Sequence, residues 1–279
     1  MFKIEQKKLL NSTTVQIRIA APLIASKVKP GQFIILRIDE KGERIPLTIA
    51  DYDITNGTID IIVQMVGYTT LQLGSLKVGD YIQDVIGPLG NPTEFEDAKN
   101  VCIIGGGVGN AIAYPQAKYL FNKNVNVTLI AGFRNKDLII LEDELRKVAN
   151  NIYLTTDDGS YGEKGFVTTK LESLIENGSD FDLVIAIGPV VMMRAVANVT
   201  KKYNIKTIVS LNPIMIDGTG MCGGCRVIVD DKMKFACVDG PDFDAHKVNF
   251  DVLMRRNAAY TEQEKRDYEH ACKLFGGVN

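Results

Sequence analysis

The first 97 residues alternate short apolar runs with turn residues, and no helical period separates these runs. Four stretches have the composition and alternation of β-strands: VQIRIAA, QFIILRID, TIDIIVQMV and DYIQDVIG. Asn56-Gly57, between two such runs, is typical of a β-hairpin turn. Several strands at this spacing predict a small antiparallel barrel over residues 1–97.

From residue 98 the pattern changes to an alternation of apolar strands and longer helical runs. The strand-like runs are VCIIGGG, VNVTLIAGF, NIYLTTDDG, DLVIAIGP and KTIVSLN. The helical runs between them are AIAYPQAKYLFNK, DLIILEDELRKVAN, TTKLESLIENG and VVMMRAVANVTKKYN. This order predicts a doubly wound parallel sheet over residues 98–212, which Pro213 ends. A glycine- and cysteine-rich loop over 213–250 and a polar helical tail over 251–279 follow.

Composition narrows the class of protein. The chain has 279 residues, 46% of them hydrophobic and 24% charged, with a formal net charge of -2. This balance argues against a nucleic-acid partner, which usually requires a basic surplus or a basic stripe. We find no long uncharged apolar window in the sequence, so we predict no membrane span. The first residues lack the features of a signal peptide. We therefore expect a cytoplasmic protein.

Three of the five cysteines follow an aspartate in the pattern D-x4-C-x2-C-x11-C, formed by Asp217, Cys222, Cys225 and Cys237. Cysteines two residues apart on a glycine turn can bind the same iron, and plant-type [2Fe–2S] proteins show C-x4-C-x2-C with a distant fourth cysteine. Asp217 stands in the first ligand position, and Cys272 is the alternative fourth ligand. The pattern predicts a [2Fe–2S] cluster. A structural zinc site, disulfides and inert buried cysteines are the alternatives.

A glycine-rich turn at 105–109 follows a strand and opens a helix, as in sites that bind a nucleotide phosphate. The next strand ends in Arg134 and lacks the acidic residue that usually binds an NAD ribose, so NAD and NADP both remain possible. The segments after the third and fourth strands lie where ligands bind open sheets, although both could be simple turns. The candidate nucleotide contacts are Gly105, Gly106, Gly107, Val108, Gly109, Arg134, Asp157, Asp158, Gly188, Pro189 and Met192.

Two segments of the predicted barrel can serve a flavin. In Arg44-Ile-Pro-Leu-Thr48 the guanidinium can clamp a pyrophosphate, while the extended backbone and hydroxyl face the ring system. Gly67-Tyr-Thr-Thr70 offers amides and hydroxyls to the same pyrophosphate. The alternative is an exposed arginine that is simply solvated, as is more common on a strand.

Together these motifs resemble the ferredoxin-NADP reductase superfamily, and within it the electron-transfer subunits of dihydroorotate dehydrogenase B and their relatives. The resemblance runs through R-x-P-L-T, GPLG at 87–90, GGGVGNA, GPVVMM and the cysteine loop. G-x-T-T at 67–70, TDDGSYGEKGFVT at 156–168 and Asp217 resemble a subset, the small subunits of NADH-dependent reduced ferredoxin:NADP+ oxidoreductases. The chain departs from the family pattern at Pro115, because relatives often have a proline closer to the glycines.

The resemblance implies three cofactors: FAD in the barrel, NAD(H) (or NADP(H)) in the second domain, and a [2Fe–2S] cluster. It implies electron relay to a large flavin and iron–sulfur subunit in a heterodimer or larger bifurcating complex, with no general acid or base here. The implied FAD contacts are Arg44, Pro46, Leu47, Thr48, Gly67, Thr69 and Thr70. The alternatives are a stand-alone NAD(P)H:acceptor or sulfide/polysulfide reductase, and a zinc-stabilised nucleotide-binding assembly module without redox activity.

Overall fold

The structure is a computed structural model that describes residues 1–275, with the backbone alone for 271–273 and 275. Its strands are β1 (Phe2–Asn11), β2 (Thr14–Ala20), β3 (Phe33–Arg37), β4 (Ile45–Asp53), β5 (Thr58–Gln64), β6 (Tyr81–Ile82), β7 (Asp84–Leu89), β8 (Asn100–Gly106), β9 (Asn126–Phe133), β10 (Asn151–Thr156), β11 (Glu163–Lys164), β12 (Leu183–Ile187), β13 (Thr207–Ser210), β14 (Arg226–Val229), β15 (Lys232–Phe235) and β16 (Asp242–Asp244). Its helices are α1 (Pro22–Ala25), α2 (Tyr68–Ser75), α3 (Asn110–Asn122), α4 (Glu142–Arg146), α5 (Val167–Glu176), α6 (Val190–Lys202), α7 (Ala236–Asp239), α8 (Phe250–Asn257) and α9 (Thr261–Phe275). Among the described helices, none is both long and apolar enough to cross a membrane.

The N-terminal strands form a seven-stranded antiparallel sheet in the order β6-β1-β2-β5-β4-β3-β7, which curls into a nearly closed barrel. The predicted hairpin joins β4 to β5, with Gly57 at a φ of 64°. The expectation of no helix in this stretch is wrong, since α1 and α2 both lie there. The N–H of Gly67 donates to the Thr70 hydroxyl over 2.9 Å, which stabilises the start of α2.

The second sheet has the order β11-β10-β9-β8-β12-β13-β16, and every neighbouring pair is parallel except β13 with β16. In β8, Cys102 and Ile104 face a core shared with α5 and α6. Val101 and Ile103 face a second core shared with α3 and α4. The predicted combination of a β barrel and a doubly wound α/β domain is confirmed.

Two local predictions in this region are wrong. The helix expected over 137–150 is reduced to a 3-10 turn at Lys136–Leu138 and the five-residue α4. Leu141 adopts a left-handed conformation with a φ of 57°, which ends the preceding segment while Ile140 and Leu141 remain buried. Pro213 does not end the sheet, because β16 returns to its edge from the cysteine-rich segment.

The cysteine-rich segment is built on the two-stranded hairpin β14–β15. Cys225, Val227 and Cys237 are buried in one core with Phe33 and Ile35 of the barrel. The segment therefore lies between the barrel and the parallel sheet and contacts both.

Candidate functional site

A cavity of about 700 Å³ lies at the carboxyl ends of the parallel strands, where the barrel meets the α/β domain. Nine predicted nucleotide residues line it: Gly106, Gly107, Val108, Gly109, Arg134, Asp157, Gly188, Pro189 and Met192. Two do not. Gly105 lies beneath Asn110, whose Cγ would be 2.6 Å from an added Cβ. The carboxylate of Asp158 accepts the N–H of Ser160 over 2.9 Å and stabilises a turn.

The glycine turn is shaped by close backbone approach. A Cβ on Gly109 would lie 2.8 Å from the carbonyl carbon of Ile187, at the end of β12, and closer still to its oxygen. Gly107 has a φ of 56°, and a Cβ there would meet nothing within 4 Å. No acidic residue occupies the first turn of α3. The turn and helix N-terminus therefore fit a phosphate.

Several cavity residues escaped the sequence reasoning. The barrel contributes Asn11, Thr14 and Gln64, and the α/β domain adds Thr155, Phe166, Ser210 and Asn212, among others. Phe166, which is 66% exposed, belongs to a segment that the sequence reasoning singled out. The three barrel residues carry no local signal, because only packing of the two units brings them to the cavity.

The cavity carries opposite charges at one side. Arg134 and Asp157 both line it and are both exposed. The N–H of Asp157 donates to the carbonyl of Phe133 over 3.1 Å, which holds the ends of β9 and β10 together. This arrangement offers a guanidinium for a phosphate and a carboxylate for ribose hydroxyls.

The predicted flavin motif lies on β4 and at the start of α2. Pro46, Leu47 and Thr48 pair directly with Ile35, Ile34 and Phe33 of β3. The Thr69 hydroxyl donates to the carboxylate of Glu43 over 2.6 Å, which places the chain before β4 beside the first turn of α2.

Arg44 follows Glu43 and is exposed. In the part of the chain that the structure describes, its guanidinium has no hydrogen-bond or ion-pair partner. A free guanidinium beside a helix N-terminus fits a pyrophosphate. The hydroxyl of Thr70 accepts the N–H groups of Val66 and Gly67, so Thr70 also stabilises the start of α2.

The cysteine loop arranges its four candidate ligands as two pairs. The Sγ atoms of Cys225 and Cys237 are 3.2 Å apart, and both residues are buried and free of disulfides. The carboxylate of Asp217 accepts the N–H groups of Thr219 and Cys222, each over 2.8 Å.

The spacing predicts that Cys222 and Cys225 can bind the same iron, and the structure brings the Sγ of Cys225 to that of Cys237. The carbonyl of Cys225 accepts the N–H of Ala236 over 3.1 Å, and the register of β14 with β15 carries Cys237 to Cys225. Cys222 remains exposed, and its Sγ accepts the N–H of Gly224 over 3.4 Å. This N–H···S contact is of the kind that tunes iron–sulfur sites.

Two of the candidate ligands in the loop have shifted pKa values. Burial, and then the neighbouring Cys225 thiol, raise the pKa of Cys237. The N–H of Thr219, followed by the groups of Cys222, lowers the pKa of the Asp217 carboxyl. Metal binding displaces thiol protons, so a bound cluster must offset the raised pKa of Cys237, whereas the lowered pKa of Asp217 favours the carboxylate that binds iron.

No three His, Cys, Asp or Glu side chains converge on a single ion within the described residues. A [2Fe–2S] cluster has two irons, and each takes two protein ligands. Two separate pairs of candidate ligands therefore fit such a cluster. Cys102 is fully buried in β8, and burial raises the pKa of its thiol. It is a core residue of the parallel sheet. The side chain of Cys272, the alternative ligand, lies outside the described residues.

The cysteine loop packs against the barrel. A Cβ on Gly218 would lie 2.6 Å from Cδ1 of Leu89 and 3.0 Å from Cγ1 of Ile35. The Asn91 amide donates to the carbonyl of Val238 over 3.0 Å. The loop is thus fixed against β3 and β7.

Two family models match the chain. The iron–sulfur cluster binding domain of dihydroorotate dehydrogenase B matches residues 212–249, and the oxidoreductase NAD-binding domain matches residues 103–198. The first covers the cysteine loop, and the second covers the glycine turn and most of the parallel sheet.

Curated relatives cover nearly the whole chain. An electron-transfer subunit homolog of dihydroorotate dehydrogenase B (NAD(+)) from Thermotoga maritima is 47% identical over 92% of this chain and 91% of its own length. The corresponding subunit of Fusobacterium nucleatum is 31% identical over 89% and 97%. An uncharacterised protein of Clostridium beijerinckii is 52% identical over 96% and 94%.

Among solved structures, that of an NADH-dependent reduced ferredoxin-NADP oxidoreductase superposes with a TM-score of 0.91 at 44% identity, covering 97% of both chains. Together the comparisons confirm an oxidoreductase that uses FAD, an iron–sulfur cluster and NAD(H). The alternative of a zinc-stabilised module without redox activity is wrong, because the cysteine segment matches an iron–sulfur domain. The chain belongs to the family of dihydroorotate dehydrogenase B electron-transfer subunits.

Proposed function

We propose that this chain is the NAD(H)-side subunit of a heteromeric oxidoreductase and connects a nicotinamide nucleotide to a [2Fe–2S] cluster through FAD. A bound flavin supplies the conversion between two-electron hydride chemistry and one-electron transfer. The residues of the chain bind and orient the three groups. None of them is assigned a role as general acid or base.

One observation carries this proposal: the cysteine loop contacts the strand beside the flavin motif. Gly218 packs against Ile35 of β3, and Ile35 pairs directly with Pro46 of β4. Of the candidate cluster ligands, Asp217 directly precedes Gly218 and Cys222 follows it four residues later in the same loop. The loop and the flavin strand are therefore separated by a single strand of the barrel, which suits direct electron transfer between their cofactors.

We assign the residues to three groups by these contacts. Arg44, Thr69 and the start of α2 would bind the flavin pyrophosphate, with Pro46 to Thr48 along its ring. The turn at 106–109 would bind the pyrophosphate of NAD(H), in a unit that spans about 98–212. For the cluster, Asp217 with Cys222 would hold one iron and Cys225 with Cys237 the other.

We further propose that a larger subunit with its own flavin and iron–sulfur clusters docks over the cysteine loop. Met221, within the loop, is 88% exposed, and Ile216 and Val238 are also exposed. A Cβ on Gly220 would lie 3.1 Å from Cγ2 of Val238, so these apolar side chains flank the loop directly. Clustered exposed apolar residues are typical of protein interfaces. The free thiols of the loop suit a reducing compartment, and we place the complex in the cytoplasm.

Anaerobic purification tests the proposal. We expect about two irons and two acid-labile sulfides per chain, together with flavin absorption that bleaches on addition of NADH. Purification from the native source should bring a larger redox subunit with it. A colourless protein with zinc in place of iron would refute the proposed function. A chain that is isolated alone with full acceptor activity would refute the proposed larger subunit.

A further inference from the structure

The helix that follows the cysteine-rich segment, α8, is fixed against that segment along its length. Phe250 and Leu253 are buried in the same core as Cys225 and Cys237. The side chain of Asn249 caps the helix by accepting the N–H of Val252 over 3.1 Å. The helix is therefore a rigid support for any side chain that it directs toward the loop.

Arg256, in the last turn of α8, reaches the loop itself. Its Nη2 donates to the carbonyl of Gly224 over 3.1 Å, and the side chain is half-buried. Gly224 lies between Cys222 and Cys225, and its own N–H points to the Sγ of Cys222. One glycine thus receives a guanidinium on its carbonyl and donates to a candidate ligand from its amide.

We propose that Arg256 is a positioning residue that fixes the Cys222–Cys225 turn and raises the reduction potential of the iron–sulfur cluster. This inference rests on the proposed function, because it requires a cluster at the loop. Reduction adds a negative charge to the cluster, and a nearby cation stabilises the reduced form. The contact with Gly224 also holds the orientation of the peptide whose N–H reaches sulfur, which is a second way to stabilise that form.

Arg255 provides a matched control. It carries the same charge one position earlier, is exposed, and donates to the carbonyl of Asp251 within its own helix over 3.4 Å. A charge that is exposed to solvent and bonded only within its own helix is screened. A comparison of the two arginines therefore separates the specific contact from the overall charge of the helix.

The test is an EPR-monitored redox titration of the anaerobic holoprotein. Arg256→Gln should reduce the ratio of reduced to oxidised cluster at a fixed potential by about tenfold, which is a downward shift of about 59 mV for a one-electron couple. Arg256→Lys, which keeps the charge, should recover at least half of this shift. Arg255→Gln should titrate like the unmodified protein.

Three outcomes would overturn the inference: an unchanged potential in Arg256→Gln, an equal shift in Arg255→Gln, or a potential in Arg256→Lys as low as in Arg256→Gln. If Arg256→Gln does not retain iron, Arg256→Lys decides: a potential near that of the unmodified protein supports the inference, and a tenfold loss of reduced cluster overturns it. An unmodified protein without iron would instead refute the proposed function, so the two failures are distinguishable.

Discussion

The two binding regions of this chain are built in opposite ways. The nucleotide site lies on a parallel sheet whose central strand, β8, is fully buried from Val101 to Ile104. The cysteine loop rests on a two-stranded hairpin and exposes Cys222 at its surface. Backbone groups form the glycine turn of the first site, whereas side-chain ligands define the second.

Because of this difference, we expect the nucleotide site and the cysteine loop to respond differently when the nucleotide or the cluster is lost. A site formed by backbone on a packed sheet is held by the core, so it persists when the nucleotide leaves. Two facing buried thiols without metal gain little from their burial, so the cysteine segment depends on its cluster for stability. Mutations should therefore separate the two regions.

The largest effect is expected from Cys225→Ser. This change removes one sulfur of the 3.2 Å pair with Cys237, and iron content should fall to near zero. Nucleotide binding, measured by NADH titration of flavin absorbance, should change less than about twofold, because the sheet is untouched. As a control, Cys102→Ala should retain the cluster. Loss of nucleotide binding in Cys225→Ser would show that the regions are not independent.

Gly109→Ala should produce the converse result. The added methyl would collide with the carbonyl of Ile187, and we expect a loss of about 2–3 kcal/mol in the free energy of unfolding. NADH binding should weaken at least about tenfold while the iron content per chain stays normal. Gly107→Ala adds a methyl with nothing within 4 Å and should cost only about 1–2 kcal/mol, from its left-handed φ. Equal losses in the two variants would contradict the close approach at Gly109.

The smallest expected effect is on the pH dependence of stability, and it concerns Asp242, on the strand that joins the cysteine-rich segment to the parallel sheet. Asp242 on β16 is half-buried, and its carboxylate, whose Oδ1 atom is buried, accepts the Thr93 hydroxyl over 2.5 Å. Burial raises the pKa of Asp242 to about 6 from 3.8. A raised folded-state pKa means that this group stabilises the fold at low pH, and that the stabilisation is lost as pH rises through 6.

Asp242→Asn removes this dependence. Relative to the unmodified protein, the variant should gain about 1 kcal/mol in free energy of unfolding between pH 5 and pH 7.5, measured by denaturant titration. Thr93→Val removes a hydrogen bond to the charged form and should make the pH dependence of the protein steeper. A difference between Asp242→Asn and the unmodified protein that does not vary with pH would contradict the buried carboxyl.

Sequence reasoning succeeded where a feature is local. The strand, glycine turn and helix around 105–109 are contiguous, and their pattern predicted both the sheet and most of the nucleotide contacts that line the cavity. The cysteine spacing predicted an iron–sulfur site for the same reason, because its ligands lie close together in the chain.

Prediction from the sequence failed where a contact depends on strand register or on packing between distant segments. The pairing of Cys225 with Cys237 follows from the β14–β15 hairpin, and spacing alone suggested Cys222 instead. Asn11 and Gln64 reach the cavity only because the barrel packs against the sheet. The helix expected over 137–150 failed because Leu141 turns left-handed to keep its apolar neighbours buried.

The central claim is that electrons from NADH reach the cluster only through the flavin held beside Arg44. Its most direct test compares the unmodified protein with Arg44→Gln prepared without flavin, both anaerobic, with the cluster followed by EPR. NADH should reduce the cluster of the unmodified protein and leave that of flavin-free Arg44→Gln oxidised, while dithionite reduces both. Reduction of the flavin-free cluster by NADH at the unmodified rate would contradict the account.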